Sequence, residues 1–213
     1  MSIFSLKMLA CISMLIDHTG SVLYPQHMFL RYIGRLAFPI YCFMLVEGYH
    51  HTSDIRKYLT RLGIFAIISE LPFDLALEGR LFYWGHQNVF FTLLLGLSML
   101  FILDMVSELY LKVLVVASFA CIAQEIHCDY RFMGILLIFF FEYFRHTPVM
   151  KGMMGVFCNT QLLSRAQGYG IFSLIPIAFY NGKKGPSMKY FFYAFYPAHL
   201  TVIYIIARMR NIY

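Results

Sequence analysis

Three groups of polar residues stand inside stretches that are otherwise apolar. Asp17 and His18 follow the apolar run beyond Lys7, Glu47 ends the run Ala37–Val46, and Tyr196, Pro197 and His199 lie within the last apolar stretch. A charge inside a membrane helix costs about 2.5–3.5 kcal/mol on insertion scales, so such residues are functional candidates by default. A histidine titrates near about pH 6.5 when unperturbed, which makes His18 suited to accept a proton at neutral pH. Asp17 is its neighbour, but successive residues on a helix point to different faces. An orienting partner for His18 is therefore expected from another helix, with Arg35 and Glu47 the available charges. Tyr196 and His199 are three apart and share a helix face. Pro197 removes an amide between them and frees a carbonyl that must find a donor within the membrane. The alternative is that Tyr196 belongs to an interfacial aromatic belt and His199 caps that carbonyl. Asn181-Gly-Lys183-Lys184-Gly185 reads as a tight turn with exposed amides and two ammonium groups, suited to a phosphate or, equally, to anionic lipid head groups. Glu70 and Asp74 close the third apolar segment and are read as helix-end residues that snorkel to the interface.

These residues need a scaffold, and the composition names its class. Of 213 residues, 60% are hydrophobic and 13% charged, with mean hydropathy +0.67. A soluble domain has about 25% charged residues, and a chain this short cannot bury so much apolar surface in one core. Lipid must cover the excess, so the bilayer is the expected partner. The fold class is all-α: a polytopic transmembrane helix bundle of about eight to nine membrane segments, forming one domain over 1–213. Runs near the roughly 20 residues a span requires fall at 7–24, 33–50, 58–76, 88–104, 110–126, 130–145, 149–164, 168–180 and 189–208. The pair 149–164 and 168–180 reads either as two short spans or as one span with a re-entrant segment. The first run ends in Asp-His-Thr-Gly without a small-residue cleavage site, so it is expected to persist as the first helix. Lys and Arg weigh toward the side of the N-terminus and the 50–57 connection, which places both in the cytoplasm. The five cysteines show no metal spacing, and no metal site is expected. The net charge of +6 is scattered among helix ends, which does not point to nucleic acid.

The residues also resemble a family. Leu6-Lys7, Ile16-Asp17-His18-Thr19-Gly20, Leu30 through Ile40, Glu47-Gly48 and His51-Thr52 look like the TraX family. The resemblance continues through Lys57-Tyr58-Leu59, Arg61-Leu62, His86 through Thr92 and Tyr180 through Lys183, and closes at Phe191 through Leu200. It implies a protein of the bacterial inner membrane that transfers an acetyl group from acetyl-CoA, in a named member to the amino terminus of conjugative pilin. The chain is also similar to the wider membrane acyltransferases that acylate sugars, which carry an arginine separated by ten residues from a first-helix histidine. Here the spacing is Lys7-x10-His18, with lysine giving up the bidentate guanidinium fork. The resemblance implies that Lys7, with Arg61, Asn181, Lys183 and Lys184, contacts the CoA phosphates at the inner face. The rise from Lys7 to His18 is about 16 Å, of the order of a pantetheine arm. His18 would then be general base, with Asp17 and Glu47 near it and Arg35, Asn88 or Tyr196 stabilising the oxyanion. Tyr196 or His199 would hydrogen-bond the thioester or acceptor, and an acetyl-histidine intermediate is an open alternative. The acceptor is a peptide, a glycan or a lipid. Intramembrane charges also suit a small-solute transporter or flippase, and a non-catalytic assembly factor is a further alternative.

Overall fold

Ser2 opens the first helix by accepting the Ser5 amide on its Oγ at 3.2 Å, which satisfies one of the donors a helix start leaves open. The computed structural model describes residues 1–161 and 165–212, and every regular element among them is helical. In chain order these are α1 (Ile3–Val22), α2 (Met28–Gly34), α3 (Ala37–His51), α4 (Ile55–Phe73), α5 (Val89–Leu103), α6 (Leu109–Glu125), α7 (Arg131–Tyr143), α8 (Pro148–Gln161), α9 (Leu174–Ala178) and α10 (Lys189–Met209). A π-helical turn, Asp74–Glu78, follows α4, and a 3-10 segment, Arg165–Ser173, leads into α9.

The predicted segments reappear as helices, with informative departures. The 33–50 segment is interrupted at Arg35 and Leu36, where the Leu36 amide bonds Ile33 O at 3.3 Å in a tightened turn. Pro39 stands in the first turn of α3, where a missing amide is tolerated, so the helix restarts rather than continuing. The first part of the 168–180 segment, up to Ser173, is 3-10, because Gly168 and Gly170 weaken an α-helix and Ser173 Oγ bonds Gly170 O at 2.6 Å. The end of the 149–164 segment, residues 162–164, lies outside the described residues. Among the described residues, three helices are long and apolar enough to cross a membrane: Ile3–Val22, Met28–His51 and Tyr190–Met209. Val89–Leu103 and Ala166–Ala178 are shorter apolar helices. The remaining predicted spans are helical but short, as α7 with 13 residues, or charged, as α4 with Arg56, Lys57, Arg61 and Glu70.

The chain divides into two compact units. The first holds residues 1–41, 68–82 and 155–213. Here α1 packs on α2 and α10, and Val22 meets Ile203 and Ala207 in a small core flanked by Leu23 and Leu77. Glycines permit the closest approach. A methyl at Gly34 would overlap the Asp17 side chain, and one at Gly20 would overlap Leu30. Asp74, expected to snorkel, is instead buried at 1% exposure, folded inward by the π turn.

The second unit holds residues 42–67 and 83–154. Its centre is α5 against α6 and α7, with Leu97, Met99, Leu100, Ile135, Ile138 and Phe141 buried. Asn88 caps α5 by accepting the Phe90 amide at 3.0 Å, and its own amide donates to Ala66 O at 2.8 Å. At the start of α4 the Lys57 backbone amide and then its ammonium hold the Asp54 carboxyl below its usual range. Ile67, on α4, is 72% exposed.

Candidate functional site

The site is built on α1, whose faces carry different chemistry. Ser13, Asp17 and Gly20 repeat at helical spacing and meet α2, while Lys7, Cys11 and His18 lie on another face. Toward α2, Ser13 Oγ donates to Ile33 O at 2.6 Å. Asp17 then receives two guanidinium groups. Arg35 Nη2 lies 2.8 Å from both carboxylate oxygens, and Arg31 Nη1 lies 3.2 Å from Oδ2. Arg35 is itself held by its Nε on Arg31 O at 3.2 Å and by Nη1 on Gln167 Oε1 at 3.5 Å. The chain of amides continues from Gln167 Nε2 to Asn159 Oδ1 at 3.1 Å and from Asn159 Nδ2 to Gly155 O at 2.7 Å.

Toward α10 the same helix presents His18. Its Nδ1 lies 2.7 Å from His199 Nε2, and His199 Nδ1 lies 2.7 Å from Phe195 O. The two imidazoles are parallel within 3° with centroids 5.0 Å apart. That separation exceeds the N···N distance by about the sum of two ring radii, so the rings meet edge to edge in one plane. Tyr196 sets its ring at 73° to His18 with centroids 5.9 Å apart, and Phe195 lies along His199 at 4.8 Å. His18, Tyr196 and His199 are all buried.

These placements correct the expected roles. His18 is oriented by His199, not by Arg35 or Glu47: one residue step turns the helix by about 100°, which gives Arg35 to Asp17 and His18 to α10. Both ring nitrogens of His199 are engaged, by His18 and by Phe195 O, so neither is left to contact a thioester or acceptor. Since α1 begins at Ile3 and ends at Val22, His18 lies about 8 Å past the helix midpoint toward Val22. Glu47, Arg61 and Asn88 belong to the second unit. There Glu47 lies 3.6 Å from Arg145, Arg61 sits over the Tyr58 ring at 5.7 Å, and Asn88 is committed to its cap and to Ala66 O.

At the other end of α1, the 181–185 turn is bonded to the helix start. The Ile3 and Phe4 amides donate to Lys183 O and Lys184 O at 2.9 and 3.1 Å, and the Asn181 amide donates to Met1 O at 3.0 Å. Gly182 and Gly185 take φ of +74° and +73°, conformations that favour glycine. The Asn181 Oδ1 accepts the Lys183 amide at 3.2 Å, closing the turn on itself. The first amides of α1 are therefore occupied by carbonyls and by Ser2, and any anion here would be held by ammonium groups rather than by the helix start. Lys7 lies one turn further on, with Nζ 5.3 Å from the centre of the Phe192 ring. Lys7, Lys183 and Lys184 are thus gathered at one end of α1, and His18 lies toward the other. Sequence reasoning missed Arg31 as a partner of Asp17, and it missed Gln167 and Cys11, whose Sγ lies 3.2 Å from Tyr41 Oη. The spacing of Ser13, Asp17 and Gly20 against Arg31 and Gly34 was the available signal.

Long apolar helices carrying buried ionic and imidazole groups define an integral membrane protein with a polar site among its helices. The family model described as TraX protein matches residues 2–207, and the chain belongs to the TraX family. It is similar to a protein of Dichelobacter nodosus named probable fimbrial assembly protein FimC, serogroup H1, at 29% identity over 95% of this chain and 94% of that one. It is also similar to the uncharacterized protein RP591 of Rickettsia prowazekii (strain Madrid E), at 42% identity over 31% of this chain and 25% of that one. No solved structure matches it.

Proposed function

We propose that this TraX-family chain is an acetyl-CoA-dependent acetyltransferase of the bacterial inner membrane, a single polytopic bundle of about eight to nine membrane segments. The observation that carries the reading is the buried His18, oriented by hydrogen bonding, on the same helix as Lys7 and about 16 Å from it. Lys7, Lys183 and Lys184 would hold the phosphates of acetyl-CoA, and the thioester would reach His18. An amine or hydroxyl of the acceptor attacks the thioester carbonyl as its proton passes to His18. The carbon–sulfur bond then breaks, and His18 returns the proton to the departing CoA thiolate. Tyr196, whose ring is set at 73° to His18, and Arg35 are the candidate donors to the oxyanion. Asp17 acts indirectly, by holding Arg35 in place.

The fimbrial-assembly name of the Dichelobacter relative favours a pilus subunit as acceptor over a glycan or lipid. The same name supports a second reading, a non-catalytic assembly factor. The two separate in one assay. Purified protein in nanodiscs is given acetyl-CoA labelled in the acetyl group and candidate acceptors, and both CoA thiol release and acceptor mass are followed. Acetyl transfer with stoichiometric thiol release is expected. Failure to bind acetyl-CoA, with retained binding of a pilus subunit, would establish the assembly factor instead.

A further inference from the structure

We propose that His199 is a positioning residue that fixes His18 in its Nδ1–H tautomer and so reserves His18 Nε2 for the proton in transfer. The proposal rests on the acetyltransferase reading for its catalytic meaning, but its structural content stands apart from it. Phe195 O has no proton to give, so His199 Nδ1 must carry the hydrogen in their 2.7 Å contact. A neutral His199 then has a bare Nε2, which can only accept. His18 Nδ1, 2.7 Å away, must donate to it. The remaining nitrogen of His18, Nε2, is left with its lone pair and makes no hydrogen bond among the described residues.

A cationic His199 would reverse the direction, but it would place a charge within a membrane helix, where charge is expensive unless paired. His199 forms no ion pair among the described residues and is 6% exposed. The helix supplies the directing group locally. The i−4 carbonyl of Phe195 is fixed by the backbone of α10, and the Phe195 ring packs along the His199 imidazole at 4.8 Å, which locks its rotation. The arrangement is a two-imidazole chain that ends in a backbone acceptor. It does for His18 what a carboxylate does for a catalytic histidine elsewhere, without placing a negative charge beside it.

The test is nitrogen NMR of the full chain in nanodiscs with histidine labelled at both ring nitrogens, and assignment of His18 by comparison with His18→Gln. The intact protein is expected to show His18 as the Nδ1–H form. His199→Gln, whose Oε1 can still accept, is expected to keep that form, while His199→Leu yields a mixture with Nε2–H. An Nε2–H His18 in the intact protein, or an unchanged tautomer in His199→Leu, overturns the proposal. In the transfer assay, His199→Leu should lower kcat about a hundredfold with KM for acetyl-CoA unchanged, and His199→Gln should restore most of it. If the tautomers behave as expected but the intact protein transfers no acetyl group, the function fails and the positioning stands.

Discussion

The two units handle buried polarity in opposite ways. In the second, unlike groups pair at helix ends: His50 with Glu142 at 2.7 Å, His86 with Asp129 at 3.1 Å, Glu47 with Arg145 at 3.6 Å, and Tyr49 with Asp104. The middle of that unit, around α5 and α7, is apolar. In the first, polar groups converge on α1: two arginines from the end of α2 meet one carboxylate, and an imidazole from within α10 meets another. Partly exposed polar pairs of this kind are worth about 0–1 kcal/mol and need no further explanation. A pair of imidazoles has no complementary charge to stabilise it, so its burial is better explained by use than by stability.

The largest expected effect separates the units most sharply. His18→Ala should abolish acetyl transfer, a loss of at least about a thousandfold, while leaving the thermal unfolding midpoint in detergent close to that of the parent; transfer at parental rate would remove His18 from the chemistry. Asp17→Asn removes the carboxylate that Arg31 and Arg35 share and leaves two half-buried guanidiniums without their counter-charge, which should cost more than the roughly 0–1 kcal/mol of an exposed pair. That loss is to be read as lowered resistance to denaturant, and an unchanged profile would class the triad with the exposed pairs. Lys7→Ala should raise KM for acetyl-CoA about tenfold, with a smaller change in kcat, and Lys7→Arg should retain most of the binding. No change would move the phosphate contact to Lys183 and Lys184. Glu142→Gln, in the second unit, should shift stability by less than about 1 kcal/mol, and a loss as large as that of Asp17→Asn would erase the distinction between the units.

Much of this arrangement can be read from the sequence because helical periodicity carries it. The apolar run before Asp17 marks α1, and the 189–208 segment matches α10 closely. The spacing of Tyr196 and His199 puts both on one face, which the structure brings to His18. Pairwise choices between helices were not legible. Arg35 could have served His18 or Asp17 on spacing alone, and the packing permitted by Gly34 gives it to Asp17. Asn88 looks like an available donor in sequence, but its place just before α5 makes it a cap. The 181–185 turn reads as basic and exposed, and nothing in its own residues tells that its carbonyls close the start of α1.

The Asp17 cluster also bears on how the protein enters the bilayer. Asp17 lies in α1, while the guanidiniums that neutralise it, Arg31 and Arg35, come 14 and 18 residues later in the chain, beyond a short connection at 23–27. Presented alone to lipid, each of these charges is penalised by about 2.5–3.5 kcal/mol; presented together they cancel. Biogenesis is therefore expected to release α1 and the helix after it as a hairpin, with the ion cluster formed before either meets lipid. Lengthening the 23–27 connection by a flexible spacer should lower the inserted fraction of α1 in a glycosylation-mapping assay, and Asp17→Leu should restore it. Equal insertion with and without the spacer would show that α1 partitions independently.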